Sequence, residues 1–308
     1  MFDELNLLLA TSEDLRELMA DESLFLEQNI LTEPAHRNTL GAQCWIVANL
    51  IAAGKGDSTL AILTADHVIG AVDHFQSCVK DCMSLAETVG GIVTLGVVPT
   101  RPETGYGYIE EDRTRPVVSA SGKTAYQTRS FREKPSLETA ENFIDEGTFL
   151  WNSGMFFYTV KAFLSELNQT QPQAHEITLA IADAIQNGDL PAATAHFELL
   201  PNLSIDYAVM ERSEQVTVLR ADFPWDDFGA WDALERIFPV DNAGNVAQGD
   251  VLLVESRSSI IFNAHPTLRI GVLGLTDIVV VASEEGILIC DKRDVQRVRL
   301  LAKLDEKT

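Results

Sequence analysis

The sequence predicts an α/β protein: a parallel sheet with helices on both faces, then a small all-β unit beginning near residue 240. Three observations carry that expectation. Short apolar runs alternate with helix-periodic stretches through the first part of the chain. Those runs are apolar almost without interruption, as strands buried on both faces are. Beyond Pro239 the helical period gives way to short strands at close spacing, behind the turn-rich connector Asp241-Asn242-Ala243-Gly244-Asn245.

Leu5–Ala10 is the first apolar run. Thr11-Ser12-Glu13-Asp14 then supplies a cap and an acidic first turn for a helix ending near Ala20. Phe25–Leu31 contains a second strand, closed by Glu33-Pro34. Asn38 or Thr39 caps a long helix ending near Ala53, with Ala42, Trp45, Ile46, Asn49 and Leu50 on one stripe. Thr59–Thr64 is a buried strand running into Ala65-Asp66-His67. A helix over Ala71–Thr88 and a strand over Ile92–Val98 follow.

The middle is less regular. Ser136 caps a helix to Glu146, and Gly154–Tyr158 is an apolar strand. Lys161–Leu167 and Ala174–Gln186 read as helices, with Gly188 and Pro191 breaking the second. Ile205–Glu211 is helical and Val216–Leu219 is a strand. In the terminal unit, Val251–Val254, Ser259–Phe262, Leu268–Val272, Ile278–Val281 and Ile287–Cys290 are strands of stacked coils or of a small sandwich. Asp294 caps a last helix with Val295, Val298, Leu301 and Leu304 on one side. The expected domains are 1–240 and 241–308.

The chain has 308 residues, 46% of them hydrophobic, enough for a sizeable core. Its 23 basic and 46 acidic residues give a net charge of −23. That balance lacks the basic footprint of a nucleic-acid binder. An anionic small substrate needs a metal ion or placed cations to offset the field locally; otherwise the acidity serves solubility. No apolar run is long enough to span a bilayer, and Met1-Phe2-Asp3-Glu4 does not open a signal peptide. The expectation is a soluble cytoplasmic protein. Cys44, Cys78, Cys82 and Cys290 form no zinc-ligand spacing and read as reduced, structural thiols.

Candidate chemistry concentrates in residues 105–154. Gly105-Tyr106-Gly107-Tyr108-Ile109 frees backbone amides, Phe131-Arg132-Glu133-Lys134-Pro135 supplies a carboxylate and an ammonium, and Trp151-Asn152-Ser153-Gly154-Met155 supplies a carboxamide. That set suits a sugar phosphate: the carboxylate and amide grip hydroxyls, and the ammonium meets the phosphate. Pro135 should hold Lys134 in an extended backbone, with Glu133 on the opposite side if the stretch is a strand. Read singly, these stretches also fit a surface salt bridge, a turn before Met155 and a bulged hairpin. Asp66 stands at the carboxyl edge of a strand, where open α/β sheets bind ligands. With Asp227, from Trp225-Asp226-Asp227-Phe228-Gly229, it makes a pair of carboxylates able to hold Mg²⁺. Asp66 could instead cap a helix, Asp226 and Asp227 could form a solvated turn, and His67 reads as structural.

Taken in order along nearly the whole chain, these residues resemble the bacterial mannose-1-phosphate guanylyltransferases, also called GDP-mannose pyrophosphorylases. The resemblance rests on Glu33-Pro34-Ala35-His36-Arg37-Asn38-Thr39, Ala65-Asp66-His67, the stretch from Val98 to Ile109, Glu133-Lys134-Pro135, Trp151-Asn152-Ser153-Gly154-Met155-Phe156, Ser204-Ile205-Asp206-Tyr207-Ala208-Val209-Met210-Glu211 and Asp227-Phe228-Gly229-Ala230-Trp231. It implies a nucleotidyltransferase-type, Rossmann-like mixed sheet with helices on both faces, and a small left-handed β-helix-like domain that mediates homodimerisation. It implies that GTP and mannose 1-phosphate give GDP-mannose and pyrophosphate. Asp66 and Asp227 would ligate Mg²⁺, and Lys134 would hold the sugar phosphate. Glu133 and Asn152, with the backbone at Gly105, Tyr106 and Gly107, would hold mannose. Arg37, Asn38 and Thr39 would lie on the nucleotide side, with Asp206 in support.

The resemblance also implies a Gly-rich loop after the family's first strand, whose amides, Arg and Lys cradle the triphosphate. The sequence contains no such segment and opens, at Leu5, where the family's second βα unit would open. The expectation is therefore a sheet lacking its first βα unit, from a misassigned or incomplete start. The alternatives are half of a split enzyme, a non-catalytic sugar-nucleotide-binding protein, or a transferase for another sugar 1-phosphate.

Overall fold

The computed structural model describes residues 3–19, 27–229, 231–298 and 300–301. Of the residues named above, Met1, Phe2, Ala20, Phe25, Ala230 and Leu304 lie outside them. In chain order the elements are β1 (Leu9–Thr11), α1 (Glu13–Met19), β2 (Ile30–Thr32), α2 (Asn38–Ala52), β3 (Thr59–Ile62), β4 (Val68–Ile69), α3 (Val72–Val89), β5 (Ile92–Val97), β6 (Tyr108–Val118), β7 (Thr124–Arg132), α4 (Leu137–Glu146) and β8 (Phe149–Thr159). They continue with α5 (Val160–Thr170), α6 (Pro172–Gln186), α7 (Leu190–Glu198), β9 (Val216–Arg220), β10 (Trp225–Asp226), α8 (Leu234–Ile237), β11 (Val246–Gln248), β12 (Val251–Val254), β13 (Ile260–Asn263), β14 (Ile270–Leu273), β15 (Ile278–Ala282) and β16 (Ile287–Asp291).

These elements form two compact units, Met1–Thr64 with Gly70–Pro224, and Ala65–Ile69 with Trp225–Thr308. The boundary expected near residue 240 falls inside the second unit. Pairing sets the division: β10 runs antiparallel to β4, so the short segment carrying Asp66 belongs with the C-terminal part of the chain.

The first unit is built on a six-stranded sheet in the order β3-β8-β5-β9-β7-β6. It is mixed, which corrects the parallel sheet read from the apolar runs. Only β5 and β9 pair parallel, while β8 runs antiparallel to β3, β5 and β6. Continuous apolarity reports burial on both faces, not strand direction, and β8 has that burial. β1 and β2 pair parallel with each other as a separate two-stranded sheet. The core joins Leu40, Cys44 and Val47 of α2 to Phe156 and Tyr158 of β8, Phe163 of α5, Ile181 of α6 and Val218 of β9. α2 is buried on nearly all sides and not on one stripe, as a helix apolar all round must be. Its buried Gln43 accepts the Tyr158 hydroxyl at 2.8 Å. All four cysteines are free thiols, and burial pushes Cys44 up to about 12.

Local signals explain some of the helix starts, but not that of α2, whose N-cap position falls to Arg37 without a side-chain cap bond and not to Asn38 or Thr39. Ser136 Oγ accepts the Thr139 N–H at 3.2 Å, as its position before α4 predicts. α7 was not expected, because Pro191 reads as a breaker; here it occupies the first turn behind the capping Asp189. Ala71, not Asp66, holds the N-cap position of α3.

In the second unit, β11, β13 and β15 stack parallel, and β12 and β14 form a second parallel pair. Successive coils thus contribute to two sheets, the arrangement of a β-helix, and β16 closes the first sheet antiparallel to β15. Val246, Ile260 and Val279 line up across the stack as its core, with Leu234 and Val295. The final helix expected behind Asp294 is a 3-10 turn, Lys292–Arg297, capped by Asp291. Among the described residues, no helix is long and apolar enough to cross a membrane.

Candidate functional site

In the first unit the three polar stretches of residues 105–154 meet at one end of the sheet. β6 pairs with both β7 and β8, which sets Tyr108 opposite Arg132 on one side and Trp151 on the other. Glu133-Lys134 and Asn152 are thereby brought to Gly107. The Asn152 N–H donates to Gly107 O at 2.8 Å, and the Lys134 N–H donates to Tyr106 O at 3.2 Å. A Cβ on residue 107 would lie 2.6 Å from Oε2 of Glu133 and 3.3 Å from Cβ of Asn152, so only glycine lets the carboxylate in.

Lys134 does not have the extended backbone expected of a residue before proline; its φ is +47°. Nor does it oppose Glu133: Lys134 Nζ lies 2.7 Å from Glu133 Oε1. Strand β7 has ended at Arg132, and two bonds fold the chain back. One is Lys134 N–H to Tyr106 O; the other is Glu133 N–H to Oε1 of Glu211, at 3.0 Å. A non-glycine residue in this conformation costs about 1–3 kcal/mol and persists only where its surroundings impose it. The Glu133 side chain is 7% exposed and that of Lys134 50%, so the carboxylate is set in the protein while the ammonium reaches solvent. Burial pushes the Lys134 ammonium down, but the Glu133 hydrogen bond and charge outweigh it and hold it above its ordinary value.

Asn152 lies within β8, not in a turn. Its Nδ2 donates to Asp206 Oδ1 at 2.9 Å, and its Oδ1 accepts from Gly154 N–H at 3.2 Å and from the Thr94 hydroxyl at 3.4 Å. Asp206 starts a π-helical turn, Asp206–Met210. Burial, then the charge of Glu133, push its carboxyl up to about 6, against the pull of Lys134 and Asn152. Residues not singled out as functional in the sequence complete the surroundings. The Arg101 guanidinium lies 5.0 Å from the Trp151 ring and 5.8 Å from that of Tyr106, and bonds to Glu103. Glu103 Oε1 accepts the Gly105 N–H at 3.1 Å. Thr94 carried one legible signal, a polar residue inside the buried strand Ile92–Val97.

Arg37, Asn38 and Thr39 stand at the start of α2. Arg37 Nε and Nη2 both donate to Glu198 O, at 3.1 and 2.6 Å, and Nη1 donates to His36 O. Asn38 has φ +58°, and its Oδ1 accepts the Thr39 N–H. Thr39 Oγ1 accepts the Ile205 N–H at 2.9 Å.

In the second unit, the β4–β10 register sets Asp226 opposite Val68. One step beyond the paired residues, Asp227 comes opposite His67, next to Asp66. His67 feels both: burial pushes its imidazole down, and Asp66, Asp227 and Asp226 pull it up. The Trp225 indole N–H lies 3.1 Å from His67 Nδ1, and the rings meet edge to face. Asp226 is engaged by Arg236 Nη2 at 2.7 Å, whereas Asp227 Oδ1 accepts the Gly229 N–H at 3.0 Å. The Asp66 side chain is 81% exposed. Among the described residues, no group of three or more His, Cys, Asp or Glu could hold a metal ion. Were Asp66 and Asp227 to hold a hard divalent cation, waters and phosphate oxygens would have to supply its remaining ligands.

The fold is thus an α/β mixed sheet with a carboxylate, an ammonium and a carboxamide gathered at one end, and the family it belongs to is a nucleotidyltransferase family. The chain matches the model described as Nucleotidyl transferase over residues 7–243, and it belongs to that family. A divalent metal is general to the family. The mannose-1-phosphate guanylyltransferase of Klebsiella pneumoniae is 36% identical over 277 residues, covering 89% of this chain and 57% of that protein. That of Escherichia coli (strain K12) is 37% identical over 283 residues, again covering 89% of this chain and 57% of that protein. The chain thus spans less than two thirds of the length of these curated relatives. A crystal structure described as mannose-1-phosphate geranyltransferase from Thermus thermophilus superposes with a TM-score of 0.80 at 30% identity, covering 97% of this chain and 84% of that one.

Proposed function

We propose that this chain transfers a guanylyl group from GTP to mannose 1-phosphate, giving GDP-mannose and pyrophosphate in a cytoplasmic setting. The observation that supports this most is the convergence of Glu133, Lys134 and Asn152 on Gly107. An ammonium beside a fixed carboxylate and a carboxamide meets both demands of a sugar phosphate, charge on the phosphate and directional bonds on the ring hydroxyls. In this reading Lys134 holds the phosphate of the acceptor, and Glu133 and Asn152 hold hydroxyls. The backbone of Gly105, Tyr106 and Gly107 borders the sugar. The acceptor phosphate oxygen attacks the α-phosphorus of GTP in line, a step that needs positioning and charge neutralisation more than a covalent nucleophile. Asp66 and Asp227 are the residues that would hold Mg²⁺, which when bound offsets phosphate charge. Asn38 is placed on the nucleotide side, and the second unit on a homodimer contact.

Pyrophosphate release from GTP plus mannose 1-phosphate, dependent on Mg²⁺ and lost in Lys134→Ala, tests the proposal. Folded protein that releases none with this pair overturns it. Release with a different sugar 1-phosphate reassigns the acceptor.

A further inference from the structure

The start of α2 is fastened to the segment that carries Asp206. Arg37 donates to Glu198 O, the Leu40 N–H donates to Leu203 O at 3.3 Å, and Thr39 Oγ1 accepts the Ile205 N–H at 2.9 Å. Ile205 is 1% exposed, so its N–H has no water to turn to. The next residue, Asp206, accepts from Asn152 Nδ2. An ionised carboxylate can only accept and the Gly154 N–H can only donate. Between them they fix which end of the Asn152 carboxamide is nitrogen and which is oxygen. Asp206 takes one of the two Nδ2 hydrogens and leaves the other to donate elsewhere.

We infer that Thr39 and Asp206 are positioning residues for the acceptor sugar: Thr39 anchors the Ile205–Asp206 turn, and Asp206 sets the orientation in which Asn152 meets a sugar hydroxyl. The inference rests on the acceptor site proposed above. It assigns Thr39 to the acceptor side on the bond that its hydroxyl oxygen accepts from the Ile205 N–H, a bond that leaves the O–H itself able to donate. Arg37 serves the same fastening, since each guanidinium nitrogen donates to a backbone carbonyl.

The experiment uses the full chain with Thr39→Val, Thr39→Ser and Asp206→Ala, and two readouts. The first is the KM for mannose 1-phosphate and, separately, for GTP. Loss of one neutral hydrogen bond corresponds to a rise of about five- to tenfold. Thr39→Val and Asp206→Ala are expected to raise the KM for mannose 1-phosphate by that factor and leave the KM for GTP in place, with Thr39→Ser restoring it. The second readout needs no substrate: the side-chain amide signal of Asn152 in ¹⁵N-labelled protein, assigned with Asn152→Asp. Thr39→Val and Asp206→Ala are expected to shift it and hasten its proton exchange, and Thr39→Ser to leave it in place. A rise in the KM for GTP on Thr39→Val overturns the inference, and so does an unmoved Asn152 signal. If the unaltered protein releases no pyrophosphate, that failure belongs to the proposed activity, and the amide signal decides the positioning role alone. If Thr39→Val does not fold, Asp206→Ala carries the same two readouts, and an unmoved Asn152 signal in it overturns the inference.

Discussion

Gly107 and Glu133 approach so closely that a Cβ on residue 107 would sit 2.6 Å from Oε2 of the glutamate. The glutamate cannot retreat freely, because its own N–H is bonded to Glu211 and its Oε1 to Lys134. Gly107→Ala is therefore expected to displace the carboxylate and the ammonium together. Overpacking of this kind costs about 1–3 kcal/mol. The KM for mannose 1-phosphate should rise at least about tenfold, an effect of roughly 1.4 kcal/mol, while thermal melting shows a folded protein. Unchanged kinetics would contradict the assignment of Glu133.

Asp206 makes stability depend on pH in a definite direction. Its carboxyl is raised from 3.8 to about 6, chiefly by burial. The native state therefore holds this proton more tightly than the unfolded chain does. Its stabilising contribution is complete below 3.8 and is lost as pH rises through about 6. Asp206→Asn removes the titration and keeps the shape. Relative to the unaltered protein it should gain about 1–2 kcal/mol near pH 7.5, after discounting for solvent screening. Near pH 4.5 it should gain much less. Melting curves at both pH values check this, and a pH-independent gain would refute the cause given.

The two second-unit carboxylates differ in their surroundings and should differ in their response. Asp66 is 81% exposed, so Asp66→Asn should change stability by no more than about 0.5 kcal/mol. Asp227 accepts the Gly229 N–H, so Asp227→Ala should cost about 1 kcal/mol as well. If both hold Mg²⁺, either change should lower Mg²⁺-dependent pyrophosphate release by about a hundredfold or more. Calorimetric titration with Mg²⁺ and nucleotide, alongside melting, separates the two effects.

Tyr158→Phe probes the core behind the sheet. It removes the hydroxyl that Gln43 accepts and leaves a buried amide oxygen without it. The expected loss is about 1–3 kcal/mol, measured by denaturant unfolding. No change in the KM for either substrate is expected.

Much of this was legible where the signal is local. Ser136 before an acidic first turn gave α4, and the apolar runs gave β3, β5 and β9. The β6–β7 hairpin was not legible, because Tyr108–Val118 carries charges on exposed positions and Pro116 inside the strand. Strand direction was not legible either, since the partners of β8 are distant in sequence and burial alone sets its composition. At the site, residue types were readable and their pairing was not. Asp206 and Asn152 lie 54 positions apart, and nothing in either stretch announces their bond. Lys134 went against its local rule because Tyr106 and Glu211 hold the turn more firmly than the following proline biases it.

The pairing of β4 with β10 has a consequence for assembly. It joins Trp225 to His67 across 158 positions of sequence, with five of the six strands of the first unit's main sheet in between. Closing so long a loop is entropically expensive before the intervening chain has compacted. On the ribosome, the segment that carries Asp66 must therefore wait for the C-terminal part of the chain to emerge before β4 can pair with β10. A single cut after Pro224 would leave Ala65–Ile69 on the other fragment, so the second unit should not mature from its own continuous stretch of chain. The β4–β10 pair is thus a late product of folding, formed only once both ends of the loop are present.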